Sequence, residues 1–321
     1  MRNAEINDFS VSHAASVLSG IRQLTIERDV QVAKLTRIRA GGTADLLVRP
    51  HTRDSLIELI DTVHTFGWPL TVIGCASNIL VSDRGIRGIT CWLNPSFSSI
   101  RGEGNRLICE SGAPLCDVAA WAARHSLGGF EFACGIPGSI GGAVFMNAGA
   151  FGGSMSDVIA RTTYIDGGGK VSTVEGDAHN FGYRHSFFAD CPDAVIIETE
   201  LVLDYTDRPA IYEKMAEFAH RRYLSQPLEA YSAGSAFRRP EGYFAGKLIS
   251  DAGMKGYRRG NAGVSAKHAG FIINYGNAAS EEIVRVFQDV RKAVYAMEGV
   301  RLKPEVRLIG DWESDPFAFD L

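Results

Sequence analysis

Between Asp54 and Phe66 the apolar residues Leu56, Ile57, Ile60 and Val63 recur on one helical face, and apolar runs at Leu46–Val48 and Leu70–Ile73 bracket them. The spacing predicts a strand, a helix and a strand, a βαβ-like start. Further apolar runs at Ile86–Leu93 and Arg106–Ser111 read as strands, and the alanine-rich stretch Leu115–His125 reads as a helix stopping near Gly128 and Gly129. Tyr164–Ile165, Lys170–Val174 and Ala194–Leu203 predict a later sheet, with Asp166–Gly169 as the turn between the first two strands. Helical spacing returns over Ala210–Tyr223 and Ser280–Gly299, before a closing strand at Val306–Ile309.

Composition narrows the class. A chain of 321 residues with 45% hydrophobic content supports two or three compact units with real cores. The turn-prone Asp207-Arg208-Pro209 is a natural boundary before the last of them. A net charge of -4 argues against general nucleic-acid binding. The six cysteines, at 75, 91, 109, 116, 134 and 191, show no C-x-x-C pair and no metal-ligand spacing, so free thiols in a reducing compartment and no metal are expected. Arg2 is followed by Glu5 and Asp8, and Val11–Leu18 is broken by Ser12, His13 and Ser16. No secretory signal is visible there, and a cytoplasmic location is expected.

The densest chemical signal lies between Gly135 and Gly153. Phe132–Ser156 carries no charge and is long enough for a membrane span, but seven glycines, Pro137, Ser139 and Asn147 break helix propensity and would leave polar backbone in lipid. Glycine instead lets backbone N–H groups approach a ligand closely, so the stretch reads as a nest for a diphosphate, against the alternative of a ligand-free core turn. A second small-residue turn, Gly74-Cys75-Ala76-Ser77-Asn78, follows the Leu70–Ile73 strand and adds hydroxyl and amide donors. Neither is a P-loop, since Gly246-Lys247 and Gly169-Lys170 are followed by Leu248 and Val171. A Rossmann fingerprint is excluded too, because Gly102 and Gly104 are followed by Leu107 at the last position.

These residues lead to a known family. Gly135–Gly152, with Gly129-Phe130-Glu131-Phe132 before it, closely resembles the flavin-binding segment of the UDP-N-acetylenolpyruvoylglucosamine reductase (MurB) family. Ile73–Gly88, Phe181–Phe187, Ser232–Phe237, Phe244–Ile249 and Pro304–Gly310 resemble its other motifs, in its order, so that the likeness runs from about Leu35 to Gly310. The resemblance implies an α+β chain: a two-subdomain FAD-binding module of the vanillyl-alcohol-oxidase (PCMH) type, then a smaller α+β substrate domain. The expected ranges are 1–95 for an N-terminal segment and the first flavin subdomain, 96–207 for the second, and 208–321 for the substrate domain. The short spacing from Arg222 to Ser235 resembles the family's compact second type.

The implied reaction is reduction of UDP-N-acetylglucosamine enolpyruvate to UDP-N-acetylmuramate, a step of peptidoglycan synthesis, with NADPH supplying hydride through FAD. Hydride addition to the terminal vinyl carbon leaves negative charge on the adjacent carbon and its carboxylate, which calls for a cationic clamp and a proton donor. Arg184 is the expected clamp, Ser235 the proton donor and Glu305 the residue that orients or polarises the intermediate. The resemblance assigns flavin contacts to Gly74, Ala76, Ser77, Asn78, Gly135, Ile136, Ser139, Gly141, Gly142 and Asn147, and substrate contacts to Tyr183, Arg239, Lys247 and His268. Between Ser235 and Arg259, six basic residues against Glu241 and Asp251 suit a diphosphate, although a solvated basic face is the commoner meaning of such a cluster.

With no second dinucleotide motif, NADPH and the sugar nucleotide are expected to use overlapping space in turn, with ping-pong kinetics. A monomer is expected, with no partner beyond these small molecules. Two departures from the family pattern stand out. Cys75-Ala76 replaces at least one glycine, which is expected to tighten the phosphate turn or shift flavin affinity, and Arg39-Ala40-Gly41-Gly42 stands where a bulkier aliphatic usually precedes the glycine pair. Other readings are a flavin oxidase of the same superfamily, which a covalent tether through cysteine or histidine would favour, and a catalytically silent nucleotide-sugar binder.

Overall fold

The computed structural model describes residues 9–318. The reading of Arg2, Glu5 and Asp8 lies outside the described residues. Two compact units emerge, neither contiguous in sequence: the first takes in Met1–Arg28, Leu46–Cys75 and Gly88–Arg221, and the second Asp29–Asp45, Ala76–Arg87 and Arg222–Leu321.

The first unit holds the helix-and-strand start. Helix Arg53–Phe66 begins at Thr52, whose hydroxyl accepts the Ser55 N–H in a capping box, and ends at Gly67 with φ 65°. Its buried Leu56, Leu59, Ile60 and Val63 face a core shared with Leu46, Val48, Ile89 and Cys91. Strand Leu70–Ile73 pairs in parallel with Ile86–Trp92, which lies between it and Thr43–Pro50 in the sheet order. The predicted βαβ start is therefore split by a strand from later in the chain.

Five strands form an antiparallel sheet in the order Val171–Glu175, Ile159–Ile165, Val195–Val202, Arg106–Glu110, Ile100–Glu103. Helices Leu115–Arg124 and Ile140–Phe145 bury Leu115, Val118, Ala122, Ile140 and Val144 in the same core as Leu107, Cys109 and Leu201. Helix Arg208–Ser225 belongs to this unit as far as Arg221. Phe218 stacks on Phe151 at 4.5 Å, and Lys214 reaches the buried Glu131 at 3.4 Å.

In the second unit, strands Tyr231–Ser235, Phe271–Asn274, Ala262–Val264 and Arg258–Arg259 form an antiparallel sheet in that order. Helix Ser280–Glu298 lays Ile283, Val286, Phe287, Val290 and Val294 into the core beneath it. Asp83 accepts from the Ser280 and Glu281 amides at 2.9 and 3.1 Å, placing a carboxylate at the positive end of that helix. The buried Asn274 donates to the Ile38 and Arg39 carbonyls and accepts from the Gly276 and Ala278 amides, which fastens the 29–45 segment into this unit.

Candidate functional site

In the first unit the glycine-rich segment leaves a main-chain bridge at Pro114 and Ser139. The Leu115 amide donates to the Gly138 carbonyl, Ile140 to Ala113 and Gly141 to Ser111, at 2.8–2.9 Å. Gly141 is needed for packing, because a Cβ there would press on Ser111. Gly74 is likewise small because a Cβ would run into the Ser139 hydroxyl, and its carbonyl accepts from the Trp92 indole at 2.9 Å.

Gly142 is different. It is exposed and helical, with no positive φ, and a Cβ would meet only the Ser139 hydroxyl at an ordinary 3.6 Å. A glycine in a helix costs about 1 kcal/mol relative to alanine, and nothing among the described residues requires it here. Close approach of a ligand to bare backbone does. With exposed Gly135 at φ 78° and no charged side chain nearby in the chain, the segment fits a dinucleotide such as FAD. Cys75, hydrogen-bonded to Ser139, has its thiol pushed up to about 11 by burial and then by nearby Cys116 and Asp117. A protonated thiol is a poor nucleophile, which argues against Cys75 as a covalent tether.

Arg184 stands in a tight turn of the same unit, at φ 56°. Gly182 and His185 exchange N–H to carbonyl bonds of 3.1 and 3.2 Å across it. The guanidinium lies 5.2 Å from the ring centre of Tyr183, which is 57% exposed. Two side chains tie this turn to the glycine-rich segment. The Asn147 Nδ2 donates to the Gly182 carbonyl at 3.1 Å, and the buried Ser186 hydroxyl donates to the Phe145 carbonyl at 2.9 Å.

In the second unit main chain does the joining. Ser235 ends its strand after a register shift in which Gly234 takes φ 80°, a bulge that leaves Ser235 exposed. The Glu305 amide donates to the Ala236 carbonyl at 2.9 Å, and Ala236 donates to Gly270 at 2.8 Å. Ser235 and Glu305 are thereby brought to one seam. The turn after Leu70–Ile73 reaches the same seam: the Arg307 amide donates to the Asn78 carbonyl, and the Asn78 Nδ2 donates to the Glu305 carbonyl at 3.3 Å. Ile79–Val81 then runs parallel to Arg307–Ile309. Ser77, half-buried, lies in this turn, and Ala76 adopts φ 48°. The left-handed conformation explains why glycine suits that position, and alanine bears it at a cost.

The basic run is less concentrated than its sequence spacing suggests. Arg259 pairs with Asp289 at 2.8 Å, Arg258 lies over the Tyr275 ring, and Lys247 pairs with Asp251, one turn along its helix. Asp289, thirty residues away, was invisible to a local charge count. Arg239 lies 4.0 Å from the exposed Phe244 ring and donates to the Tyr243 carbonyl. The His268 ring packs on Gly246, beside Lys247, and its Nδ1 accepts the Gly270 amide at 3.0 Å. Burial, and then Lys255, hold its pKa below the usual imidazole value.

Two family models match the chain: a FAD binding domain over residues 44–175, and the C-terminal domain of UDP-N-acetylenolpyruvoylglucosamine reductase over 226–309. Curated reductases of that name are similar along almost their whole length. One from Clostridium botulinum (strain Eklund 17B / Type B) is 43% identical over 89% of this chain and 93% of its own, and one from Geobacillus kaustophilus is 40% identical over 94% and 100%. The crystal structure of the reductase from Thermus caldophilus superposes with a TM-score of 0.78 at 31% identity, covering 89% of this chain and 99% of that one.

Proposed function

The chain belongs to the UDP-N-acetylenolpyruvoylglucosamine reductase family, and from that premise we propose that it is a FAD-dependent oxidoreductase of peptidoglycan synthesis. It uses NADPH to reduce UDP-N-acetylglucosamine enolpyruvate to UDP-N-acetylmuramate. The observation that carries this reading is the seam of the second unit, where one main-chain ladder holds Ser235, Glu305 and the Ala76–Asn78 turn together.

Gly74, Ala76, Ser77, Asn78, Gly135, Ile136, Ser139, Gly141, Gly142 and Asn147 would hold FAD, with Gly142 presenting bare backbone. When bound, FAD supplies the hydride, taken from NADPH and delivered to the terminal vinyl carbon. Arg184 grips the substrate carboxylate through two parallel hydrogen bonds and stabilises the charge that develops there. The Ser235 hydroxyl gives its proton to the carbanionic carbon and recovers one from solvent. Glu305 orients the intermediate, and Tyr183, Arg239, Lys247 and His268 contact the nucleotide sugar. The functional division is 1–95 and 96–207 for flavin and 208–321 for substrate, in a cytoplasmic monomer. Among the described residues, no helix is long and apolar enough to cross a membrane.

The test is anaerobic. The purified protein is reduced with NADPH, UDP-N-acetylglucosamine enolpyruvate is added, and the flavin absorbance is followed. Rapid return of oxidised flavin is expected. Reoxidation only after oxygen enters would mark an oxidase, and absence of flavin after reconstitution would mark a silent binder.

A further inference from the structure

Resting on the reading of Arg184 as the carboxylate clamp, we infer that Asn147 is a positioning residue that holds the Arg184 turn to the glycine-rich segment. Both ends of its carboxamide are engaged by main chain: Nδ2 donates to the Gly182 carbonyl at 3.1 Å, and Oδ1 accepts the Ser156 amide at 3.0 Å. Gly182 is the first residue of the four-residue turn that carries Arg184, closed by the paired Gly182 and His185 bonds. The clasp therefore fixes the root of the turn two residues before the guanidinium. The Ser186 hydroxyl on Phe145 fixes its other side, and Phe145 ends the helix that contains Gly142.

The residue type is demanding. Position 147 adopts φ 40°, which asparagine tolerates better than most residues. It must also present a donor and an acceptor on two separate atoms of one short uncharged side chain, which the asparagine amide does. Glycine would satisfy the backbone and lose the clasp. Aspartate would keep the size and the acceptor toward Ser156, but would set a carboxylate oxygen against the Gly182 carbonyl. Arg184, at its own left-handed φ of 56°, sits in a turn that does not hold itself in the commonest conformation, so support from outside matters.

The test uses the full-length flavin-bound protein with Asn147→Asp and Asn147→Gly. In both, amide hydrogen exchange across residues 181–186 is expected to rise at least about tenfold, because the turn loses the Asn147 bond at its root. With both rates read per bound flavin, reduction by NADPH should change by no more than about twofold, while reoxidation by the enolpyruvyl substrate slows by about 10–100-fold, as misplacement of a clamp by up to about 1 Å does. Combined with Arg184→Lys, Asn147→Asp should add little further slowing, since both remove the same interaction. Parental exchange in both variants, equal slowing of the two half-reactions per bound flavin, or full additivity with Arg184→Lys would each overturn the inference. Unchanged reoxidation in Arg184→Lys alone would instead remove the clamp reading, and the exchange measurement then decides on the clasp by itself.

Discussion

The Arg184 turn and the seam that carries Ser235 and Glu305 are built by opposite means. The turn is held from outside by two side chains, Asn147 and Ser186, reaching main-chain carbonyls. The seam is held chiefly by main-chain bonds from Glu305 to Ala236, Ala236 to Gly270, Arg238 to Lys303 and Arg307 to Asn78, to which the Asn78 Nδ2 adds a side-chain bond on the Glu305 carbonyl. A ladder of this kind depends on backbone course and tolerates side-chain change, so at the seam a substitution can alter chemistry without moving anything. At the turn, chemistry and placement are separate residues, and either can be lost alone.

Ser235→Ala tests the first half of that contrast and carries the largest expected effect. The ladder uses no side-chain atom of Ser235, so reduction by NADPH and thermal stability should remain parental. Reoxidation by substrate should fall by about 10²–10⁴-fold, the usual worth of a positioned proton donor. Equal loss in both half-reactions would mean that the seam itself had moved. Arg184→Lys follows, with about a 10²-fold loss confined to reoxidation, because an ammonium cannot reproduce two parallel bonds to a carboxylate. Near-parental turnover in that variant would break the assignment.

A main-chain seam also predicts that backbone strain within it is tolerated, and Ala76 is where to look. An L-residue in the left-handed region costs about 1–2 kcal/mol, and glycine's extra freedom in the unfolded chain returns part of that. Ala76→Gly should therefore stabilise the protein by about 0.5–1 kcal/mol in urea unfolding, and reoxidation should be unchanged. A destabilised variant would show that the buried methyl contributes more than its conformation costs.

These effects map onto what the amino-acid sequence could and could not disclose. Strand Leu70–Ile73 and helix Ser280–Glu298 were legible because their apolar spacing is local and their ends carry turn or cap signals. Helix Val11–Leu18 was missed. Its Ser12, His13 and Ser16 interrupt the apolar run, but it buries only Ala14, Ala15 and Leu18. The gathering of 29–45 and 76–87 into the second unit rests on long-range pairings such as Arg307 with Ile79, which no window of sequence contains. The same holds at the site. The motif residues could be named, whereas the Asn147 link to Gly182, thirty-five residues away, and the Arg259 pair with Asp289 required the fold.

The smallest effect separates the two regions by pH. Near the Arg184 turn, His179 is stacked on Phe181, with Nδ1 on the Gly176 carbonyl and Nε2 on the Thr162 hydroxyl, each at 3.0 Å. Near the seam, His268 accepts the Gly270 amide on Nδ1. Burial is the main cause that lowers both pKa values below the usual imidazole value near 6.5. As pH falls below that value the unfolded chain binds protons first, so this stability is complete above pH 6.5 and is lost as pH drops through the lowered folded values. The two should differ in what protonation breaks. His179 already has Nδ1–H facing a carbonyl, and the Thr162 hydroxyl can turn from donor to acceptor, so charging it costs desolvation alone. His268 must also surrender the Gly270 amide, the next link after Ala236 in the seam's ladder. Urea midpoints at pH 7.5 and 5.5 should therefore converge more in His268→Gln than in His179→Gln, each compared with the parent. The reverse order would place the acid-sensitive contact at the side-chain-held turn, and the contrast between the two regions would then extend from placement to stability.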